Sequence, residues 1–438
     1  MTEYLKRADK TPTTGADETH QIVTDMLAKI EMGGEDTARQ YGRELDQYDG
    51  EILLSRETVA AAGQKLTQQA KDDIQWSLAR VRYFARKQRD AVTDFETELS
   101  PGVFAGQRSI PINTAGCYVP GGRYSHVASA IMSIATAKVA GVENIIACSA
   151  PRGGDGIHPG ILYAMDICGA DHILALGGVQ AIAAMTFGLF TGHAANIIVG
   201  PGNRFVAEAK RVLYGRVGID MIAGPTEILV IADGAADPEI IACDIVSQIE
   251  HGPDSPGWLI LDDKDLAATV QARIPQLIEA LPKLQKEAAT AAWRDYGEVV
   301  LCHSREEMCE TSDRYAPEHL EVLTADPNWY LDRLSNYGSL FLGEETTVTF
   351  GDKCSGTNHI LPTKGAATYS GGLSVGKFIK TVTYQRATRE GNREMAAVAA
   401  RISRMEGMEG HARAGDIRLA KYFPDEDFEL GKLGDAII

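Results

Sequence analysis

The chain has 438 residues, and at about 150 residues per domain this length favours two or three domains over one. Hydrophobic residues make up 44% and charged residues 24% of the sequence, which is typical of a globular protein and excludes a disordered, collagen-like or coiled-coil chain. The formal net charge is −17, so phosphate backbones and anionic membrane surfaces should be repelled, and neither is expected as a partner.

The amino-terminal segment MTEYLKRADKTPTTGADE is polar, and no apolar run approaches the ~20 residues of a membrane-spanning helix. Seven cysteines without a CxxC pair favour free buried thiols over a disulfide framework or a zinc finger. We therefore expect a cytoplasmic protein that acts on a small molecule and binds neither nucleic acid nor a membrane.

The predicted elements begin with a helical lead-in from about 25 to 88. Short apolar runs follow, each leading into a glycine-rich turn and a segment with helical periodicity, at 145–148, 173–176, 197–199, 228–232, 259–261 and 299–301. Strands that alternate with helices predict parallel βαβ units, here in two series at about 118–228 and 229–370. Helical periodicity returns at 393–405. The polar tail beyond it should make no core of its own and pack on another surface, such as a second subunit.

Three glycine-rich corners follow predicted strands, at Tyr118-Val-Pro-Gly-Gly122, Gly177-Gly-Val-Gln180 and Gly200-Pro-Gly-Asn203. The backbone N–H groups of such a corner can hold phosphate. Each corner alone is more typical of a plain turn, but three in succession fit a dinucleotide across the carboxyl ends of a parallel sheet. The segment 371–377 has the spacing GxxxxGK. Phe378 stands where a phosphate loop needs Ser or Thr, so we reject an ATP site there.

Gln248 and His251 lie three residues apart near the end of a predicted buried helix, so their side chains share one face. Asp352 and His411 add a carboxylate and a second imidazole in turn-rich segments, and this set of ligand types suits Zn²⁺. Taken alone, His251 is explained better as a histidine favoured by a helix carboxyl terminus than as a metal ligand.

Pro317-Glu318-His319 predicts a helix start with proline at the first position. From there Glu318 and His319 would border one cleft without hydrogen bonding to each other, because adjacent helical residues point about 100° apart. Glutamate can activate a water and histidine can accept a hydroxyl proton near neutral pH. The alternative is a first-turn acid that stabilises the helix dipole, beside a surface histidine.

The order of these segments resembles the histidinol dehydrogenase family over about residues 20–415: CYVPGG, GGVQAIAA, GPGNRFVAEAK, AGPTEILVIAD, SQIEHGPDS, APEHLEV, GDKCSGTNHILPT and EGHARA. The resemblance implies an α/β fold with two incomplete Rossmann-like, doubly wound domains, a helical amino-terminal lead-in and a carboxyl-terminal tail that packs on the partner subunit. The implied domains are an arm at 1–19, a first domain at 20–117 plus 229–373, a second, NAD-side domain at 118–228, and a dimer-swapped helical tail at 374–438.

The resemblance also implies a homodimer with shared active sites, one Zn²⁺ per subunit, and NAD⁺. The implied reaction oxidises a primary alcohol through an aldehyde to a carboxylate by two hydride transfers. By position in the family motifs, the catalytic residues are Glu318 and His319 and the NAD contacts are Tyr118, Gln180 and Asn203. The zinc ligands are Gln248, His251, Asp352 and, from the partner's tail, His411. The substrate contacts are Thr226, Gln248, His251, His319, Asp352, His359, Glu406 and His411.

The sequence departs from the biosynthetic family pattern around this implied site. Thr226 stands where Ser is usual, Asp352 is followed by Lys-Cys, and SGGLSVGKFIKTVTYQ replaces the usual ending. These changes resemble the paralogous branch that includes sulfopropanediol 3-dehydrogenase, which oxidises (R)-2,3-dihydroxypropane-1-sulfonate to (R)-sulfolactate. Lys353 or Lys377 could neutralise a sulfonate, the alternative being that both lysines are solvated.

Two other functions stay open at this point: oxidation of L-histidinol to L-histidine, and an NAD-binding regulator without catalysis. Glu318, His319 and all four metal positions are present, which argues against the regulator. A thiohemiacetal on Cys117 or Cys148 is rejected, because a glutamate that activates water makes a covalent step unnecessary.

Overall fold

The computed structural model describes residues 2–10, 16–122, 124–222, 224–428 and 430. By backbone contacts the chain divides into two units, one of residues 1–89 and 111–378 and one of residues 90–110 and 379–438. The four segments implied by the family resemblance stay a prediction. Within the described ranges, no helix is both long and apolar enough to cross a bilayer.

The first half of the chain contains, in order, β1 (Glu3–Lys6), α1 (Ala16–Leu45), α2 (Arg56–Gln64), α3 (Gln68–Asp90), β2 (Phe95–Ser100), β3 (Val103–Pro111), β4 (Thr114–Val119), α4 (Val127–Ala130), α5 (Thr136–Ala140), β5 (Asn144–Ser149), α6 (Pro159–Cys168), β6 (His172–Ala175), α7 (Gly178–Phe187), β7 (Ile197–Val199), α8 (Arg204–Leu213) and β8 (Gly218–Ile219). A π-helical turn (Ile131–Ala135) joins α4 to α5.

The second half contains β9 (Ile228–Ala232), α9 (Pro238–Ile249), β10 (Gly257–Leu261), α10 (Lys264–Glu279), α11 (Lys283–Tyr296), β11 (Glu298–Leu301), α12 (Arg305–Tyr315), β12 (His319–Leu323), α13 (Pro327–Leu331), β13 (Ser339–Leu342), α14 (Val348–Lys353), β14 (Ile379–Ala387), α15 (Arg389–Met405) and α16 (Glu409–Tyr422). Each of the six apolar runs predicted as strands coincides with a strand to within two residues. The helices predicted at 25–88 and 393–405 are also present.

The first unit contains a five-stranded sheet in the order β6-β5-β4-β7-β8, and every strand pair in it is parallel. Numbered along the chain, this is the 3-2-1-4-5 order of a doubly wound sheet, with its switch point between β4 and β7. The strands are continuous apolar runs because helices cover both faces. On one face α1 packs on α7 and α8, with Val23, Leu27 and Ile30 buried.

A second sheet in the same unit has the order β1-β11-β10-β9-β12-β13. Strands β9 to β13 are parallel and repeat the 3-2-1-4-5 order, while β1 is antiparallel to β11 at the edge. Helices α9, α10 and α11 bury one face of the sheet, and α12 and α13 cover the other. The predicted α/β class with two parallel, doubly wound sheets is therefore confirmed.

The second unit contains a three-stranded sheet, β14-β3-β2, and the helix pair α15 and α16. The polar tail packs on the helix that precedes it. Leu419 on α16 is buried and clusters with Ala396 and Ala397 on α15, and Phe423 and Phe428 pack against them. The tail has few apolar residues, but their helical spacing places enough of them on the contact between the two helices. Packing of this unit on a partner subunit stays a prediction.

Candidate active site

A cavity of about 730 Å³ lies at the switch point of the first sheet. Tyr118, Gln180 and Asn203, the three predicted NAD contacts, all line it, one from each glycine corner. Thr226, a predicted substrate contact, lies on the same wall in the loop before β9. The carboxyl ends of parallel strands at a switch point form the usual dinucleotide crevice, so the position agrees with the prediction.

Gly200, which opens the third corner, has a φ of 117°, and a Cβ added there would overlap the carbonyl oxygen of Tyr118. A fully buried ion pair, Lys210 with Asp220, fixes this glycine. The Lys210 ammonium donates to the Gly200 carbonyl at 3.0 Å, and the Gly200 N–H donates to Asp220 Oδ2 at 2.7 Å. Both the N–H and the carbonyl of Gly200 are thus fixed by buried side chains.

The second corner is held by a carboxylate that the sequence did not single out. Asp46, just after α1, accepts hydrogen bonds from the Gly177 N–H at 3.0 Å and from Gln180 Nε2 at 2.9 Å. Gln180 Oε1 is buried and has no partner among the described residues, which leaves an acceptor for a ligand donor. Asn203 caps α8 through its side-chain oxygen, so its NH₂ group remains to donate. These groups fit the hydroxyl and phosphate pattern of a dinucleotide.

A second cavity, of about 470 Å³, is lined by Gln248, His251, Asp352 and His359. Gln248 and His251 come from the end of α9 and the turn after it, and Asp352 from α14. His251 Nδ1 lies 3.0 Å from the Gln248 carbonyl, which can only accept, so this nitrogen carries the proton and Nε2 keeps a free lone pair. Gln248 Oε1 is buried without a described partner. A neutral imidazole, an unpartnered amide oxygen and a carboxylate fit zinc.

His359 holds the backbone of Asp352 by a hydrogen bond. Its Nδ1 donates to the Asp352 carbonyl at 2.7 Å, and its Nε2 lies 3.0 Å from the Ser129 hydroxyl. Burial alone would raise the pKa of the Asp352 carboxyl, but His319 and then His359 hold it well below its usual range. Burial lowers the pKa of His359 itself. Because both of its ring nitrogens are used, His359 can meet a substrate only through carbon atoms.

The structure corrects the predicted helix start at Pro317. Helix α12 ends at Tyr315, the next residue, Ala316, is left-handed with a φ of 46°, and His319 begins strand β12. Proline commonly follows a helix end of this kind, because the residue before it avoids the helical region. Glu318 and His319 also lie closer than expected, since Glu318 Oε2 is 3.5 Å from His319 Nδ1. Both are buried at the amino end of β12.

Glu227, at the start of β9, organises this pair and was missed in the sequence. The Glu227 N–H donates to Glu318 Oε2 at 3.0 Å, and the Glu318 N–H donates back to Glu227 Oε2 at 3.3 Å. Burial raises the pKa of Glu318 to about 8 and that of Glu227 to about 7. A glutamate that opens a wholly buried strand, as in TEILV, was the available signal.

His319 has one nitrogen fixed and one free. Its Nδ1 lies 2.9 Å from the Glu227 carbonyl and therefore donates to it. Its Nε2 is buried, has no hydrogen-bond partner among the described residues, and lies 3.6 Å from Asp352 Oδ1. Burial would lower the pKa of His319, but the carboxylates of Glu318 and Asp352 raise it to about 9. The free nitrogen is therefore next to the predicted metal ligand Asp352.

Two predicted residues, Glu406 and His411, belong to the second unit, where both are exposed. In the part of the chain that the structure describes, no group of three His, Cys, Asp or Glu residues could hold a metal. The predicted zinc set would not appear as such a group, because one predicted ligand is the Gln248 amide and another, His411, is predicted to come from the partner subunit. Lys353 lines the second cavity, whereas Lys377 lies on the 3₁₀ turn Val375–Phe378.

The comparisons with known proteins decide the family. A family model described as histidinol dehydrogenase matches residues 9–419. The chain belongs to the histidinol dehydrogenase family. It is 59% identical to sulfopropanediol 3-dehydrogenase from Ruegeria pomeroyi over 428 residues, 98% of each chain. It is 60% identical to a histidinol dehydrogenase homolog from Pelagibacter ubique over 420 residues, 96% of this chain and 98% of that one.

A crystal structure of histidinol dehydrogenase from Elizabethkingia anophelis superposes with a TM-score of 0.89 at 32% identity, covering 94% of this chain and 95% of that one. The fold and the family predicted from the sequence are therefore confirmed. As a member of the histidinol dehydrogenase family, the chain is an oxidoreductase of the CH–OH dehydrogenase type. The family normally uses NAD and zinc.

Proposed function

We propose that this chain catalyses a zinc- and NAD-dependent, four-electron oxidation of a primary alcohol through an aldehyde to a carboxylate. The substrate we propose is (R)-2,3-dihydroxypropane-1-sulfonate, and the product (R)-sulfolactate. The balanced steps are alcohol plus NAD⁺ to aldehyde, NADH and H⁺, then aldehyde, water and a second NAD⁺ to carboxylate, NADH and two H⁺. The active enzyme is a homodimer with shared sites in the cytoplasm.

The observation that carries the proposal is the group of side chains at the second cavity. His319 Nε2, a buried ring nitrogen without a hydrogen-bond partner among the described residues, lies 3.6 Å from Asp352, and Asp352 lines the same cavity as Gln248 and His251. Residues Tyr124 and His126 line both this cavity and the cofactor-sized cavity. A substrate in the second cavity would therefore lie beside a dinucleotide in the first.

Gln248, His251, Asp352 and His411 of the partner subunit would hold zinc, and Tyr118, Gln180 and Asn203 would contact NAD⁺. When bound, zinc supplies positive charge that fixes a substrate oxygen or nitrogen and makes a nearby hydroxyl easier to deprotonate, while NAD⁺ accepts hydride. Once Asp352 holds zinc, its charge would no longer stabilise a proton on His319, so Nε2 of the neutral ring can take the hydroxyl proton. The bond from Nδ1 to the Glu227 carbonyl keeps the ring oriented.

The second oxidation needs a water activated against the aldehyde, and Glu318 is placed for it. Its pKa of about 8 reflects burial, so it can both hold and release a proton near neutral pH. Neither Cys117 nor Cys148 is suited to a covalent alternative. Both thiols are fully buried, and burial raises the pKa of Cys117 to about 12 and that of Cys148 well above its usual value.

The substrate choice rests on the 59% identity to sulfopropanediol 3-dehydrogenase, against 32% to the superposed histidinol dehydrogenase, and on Lys353 in the second cavity. L-Histidinol is the alternative substrate. A regulator without catalysis would not need an unpartnered buried base beside a metal ligand set.

The test is steady-state NADH formation by the zinc-loaded enzyme with each substrate, together with product analysis. We expect two NADH per sulfonate diol, and about one zinc per chain by metal analysis. Glu318→Gln should retain NADH formation from the alcohol in the presence of an aldehyde trap but make no acid. Activity on L-histidinol alone would overturn the substrate. Carboxylate formation by Glu318→Gln at the wild-type rate would overturn its role.

A further inference from the structure

The turn that follows β4, Tyr124-Ser125-His126, separates the two cavities of the active site. Tyr124 and His126 line both of them. His251, a predicted zinc ligand, also lines both cavities, so the turn lies beside a ligand that reaches from the predicted zinc ligands to the cofactor. No role had been assigned to any of its three residues.

The Tyr124 hydroxyl is buried and has no hydrogen-bond partner among the described residues. A buried hydroxyl left unpaired is destabilising, so a native chain retains one mainly where a ligand or water completes it. The Tyr124 ring packs edge-on against the His126 ring, with centroids 6.3 Å apart and planes at 77°. This contact places the His126 imidazole, which can donate an N–H, beside the phenol ring.

The turn itself is anchored by an arginine. Arg152 Nη2 donates to Ser125 Oγ at 2.7 Å, and its Nε donates to the Gly121 carbonyl at 3.3 Å. Ser125 is thus engaged by the guanidinium, and the adjacent donors of Tyr124 and His126 are held in a fixed arrangement. A rigid turn with unused donors is suited to binding rather than to simple chain reversal.

A charged donor also lines the second cavity. Lys353, at the end of α14, lines the second cavity, and its Nζ is 3.7 Å from Asp352 Oδ2. Once Asp352 is committed to zinc, Lys353 loses part of its counter-charge. With zinc bound, the two positive charges of the metal and the one of Lys353 would outnumber the two negative charges of Asp352 and Glu250, the carboxylates that line this cavity. A phenol, an imidazole and an ammonium are donors, so their complement is a group that only accepts.

We propose that Tyr124, His126 and Lys353 form the subsite for a tetrahedral oxyanion on the substrate, a sulfonate or a phosphate monoester. The inference rests on the proposed function, because it assigns the head group of the substrate in that same site. It makes these residues determinants of specificity, whereas Glu318 and His319 act on the alcohol carbon at the other end of the molecule.

The test compares kcat/KM of the zinc-loaded wild type and of Tyr124→Phe and Lys353→Met on three polyols: 2,3-dihydroxypropane-1-sulfonate, glycerol 3-phosphate and uncharged glycerol. Tyr124→Phe removes one oxygen and keeps the ring contact, and Tyr369→Phe, at an 84% exposed tyrosine, is the matched control. We expect about tenfold losses on the anionic diols, mainly in KM, and little change on glycerol. The better of the two anions identifies the head group. Equal losses of kcat/KM on all three polyols, or no loss on the two anionic ones, would overturn the subsite.

A binding measurement separates the subsite from the proposed reaction. Calorimetric titration of the zinc-loaded enzyme with methanesulfonate and with methyl phosphate requires no turnover. The wild type should bind at least one of them, and Tyr124→Phe should bind it about tenfold more weakly. Binding without any diol oxidation would overturn the proposed function but not the subsite. Absent binding, or equal binding by Tyr124→Phe, would overturn the subsite even if the diol is oxidised.

Discussion

Lys210 on α8 and Asp220 after β8 form an ion pair shielded from solvent on both sides, with side chains 2% and 0% exposed. Between them they satisfy the carbonyl and the N–H of Gly200. The pair is thus a structural support for the corner predicted to contact NAD⁺, and it lies under the cavity rather than in it.

Lys210→Met should destabilise the protein by about 3–5 kcal/mol, because it leaves the Asp220 charge buried and unpaired. It should also raise KM for NAD⁺ more than it lowers kcat, since the Gly200 corner loses its carbonyl donor. Urea unfolding and steady-state kinetics measure the two effects. Arg211→Ala is the control: its exposed pair with Glu208 should be worth less than about 1 kcal/mol. If the two variants lose equal stability, the support role is wrong.

Gly200→Ala should abolish tight NAD⁺ binding, because the new Cβ would overlap the Tyr118 carbonyl and force the corner open. Gly215→Ala separates this steric effect from backbone strain. Gly215 has a similar φ of 101°, but a Cβ there meets nothing within 4 Å, so only about 1 kcal/mol of strain is expected. NAD⁺ affinity is measured by fluorescence titration, and the stability of both variants by thermal unfolding. Similar NAD⁺ affinities in the two variants would contradict the assignment of the corner.

A buried carboxyl pair predicts how stability depends on pH. Asp244 on α9 accepts from Thr347 Oγ1, and Glu321 on β12 accepts from the Val348 N–H, both at 2.9 Å. Burial, and then the charge of Asp244, raises the pKa of Glu321 to about 8 from its ordinary 4.5. The folded chain therefore holds this proton more tightly than the unfolded chain. The stabilisation is complete below about pH 4.5 and is lost as the pH rises to 8.

Glu321→Gln should remove this loss. Its carbonyl can still accept from Val348, and its NH₂ can donate permanently to Asp244. We expect the variant to be more stable than the wild type at pH 8 by about 1–3 kcal/mol, with a flatter profile between pH 5 and 8. Urea unfolding at several pH values measures it. Parallel profiles for variant and wild type would show that the pair does not share a proton.

Cys117→Ala and Cys148→Ala should both retain acid formation, because the proposed aldehyde step uses water and not a thiol. Each truncation in a packed sheet should cost about 1–2 kcal/mol of stability. Product analysis after complete turnover is the measurement. If either variant releases aldehyde and makes no acid, a covalent step on that cysteine must replace the role given to Glu318.

Shared sites predict complementation between inactive variants. Subunit exchange between Glu318→Gln and His411→Ala should restore about one quarter of wild-type acid formation, because half the dimers are mixed and each mixed dimer has one intact site. Exchange between Glu318→Gln and His251→Ala should restore no acid formation. One subunit is predicted to supply both Glu318 and His251 to a given site, so each site of a mixed dimer would still lack one of them. Recovery in the second mixture, or none in the first, would rule out a partner's contribution at His411.

The sequence predicted the strands whose apolar runs are bounded by glycine, because such runs are local signals. It failed at Pro317-Glu318-His319, where proline is compatible with a helix start and with the end of the preceding helix, and only the pairing of β12 with β9 decides between them. Glu227, Asp46 and Lys210 were missed for a related reason. Their partners lie at Glu318, Gln180 and Asp220, and contacts of this kind depend on the register between elements, which no single-sequence pattern contains.

The two parallel sheets have the same strand order but serve the site from opposite ends. The first presents the carboxyl ends of β4, β6 and β7 to the cofactor-sized cavity, while the second presents the amino ends of β9 and β12, with Glu227, Glu318 and His319. Loops at these two places can therefore change independently over evolutionary time. Substitutions in the turn after β4 could change which substrate head group is bound and leave the proton-transfer residues unaltered. Selectivity could therefore be redesigned separately from the chemical step.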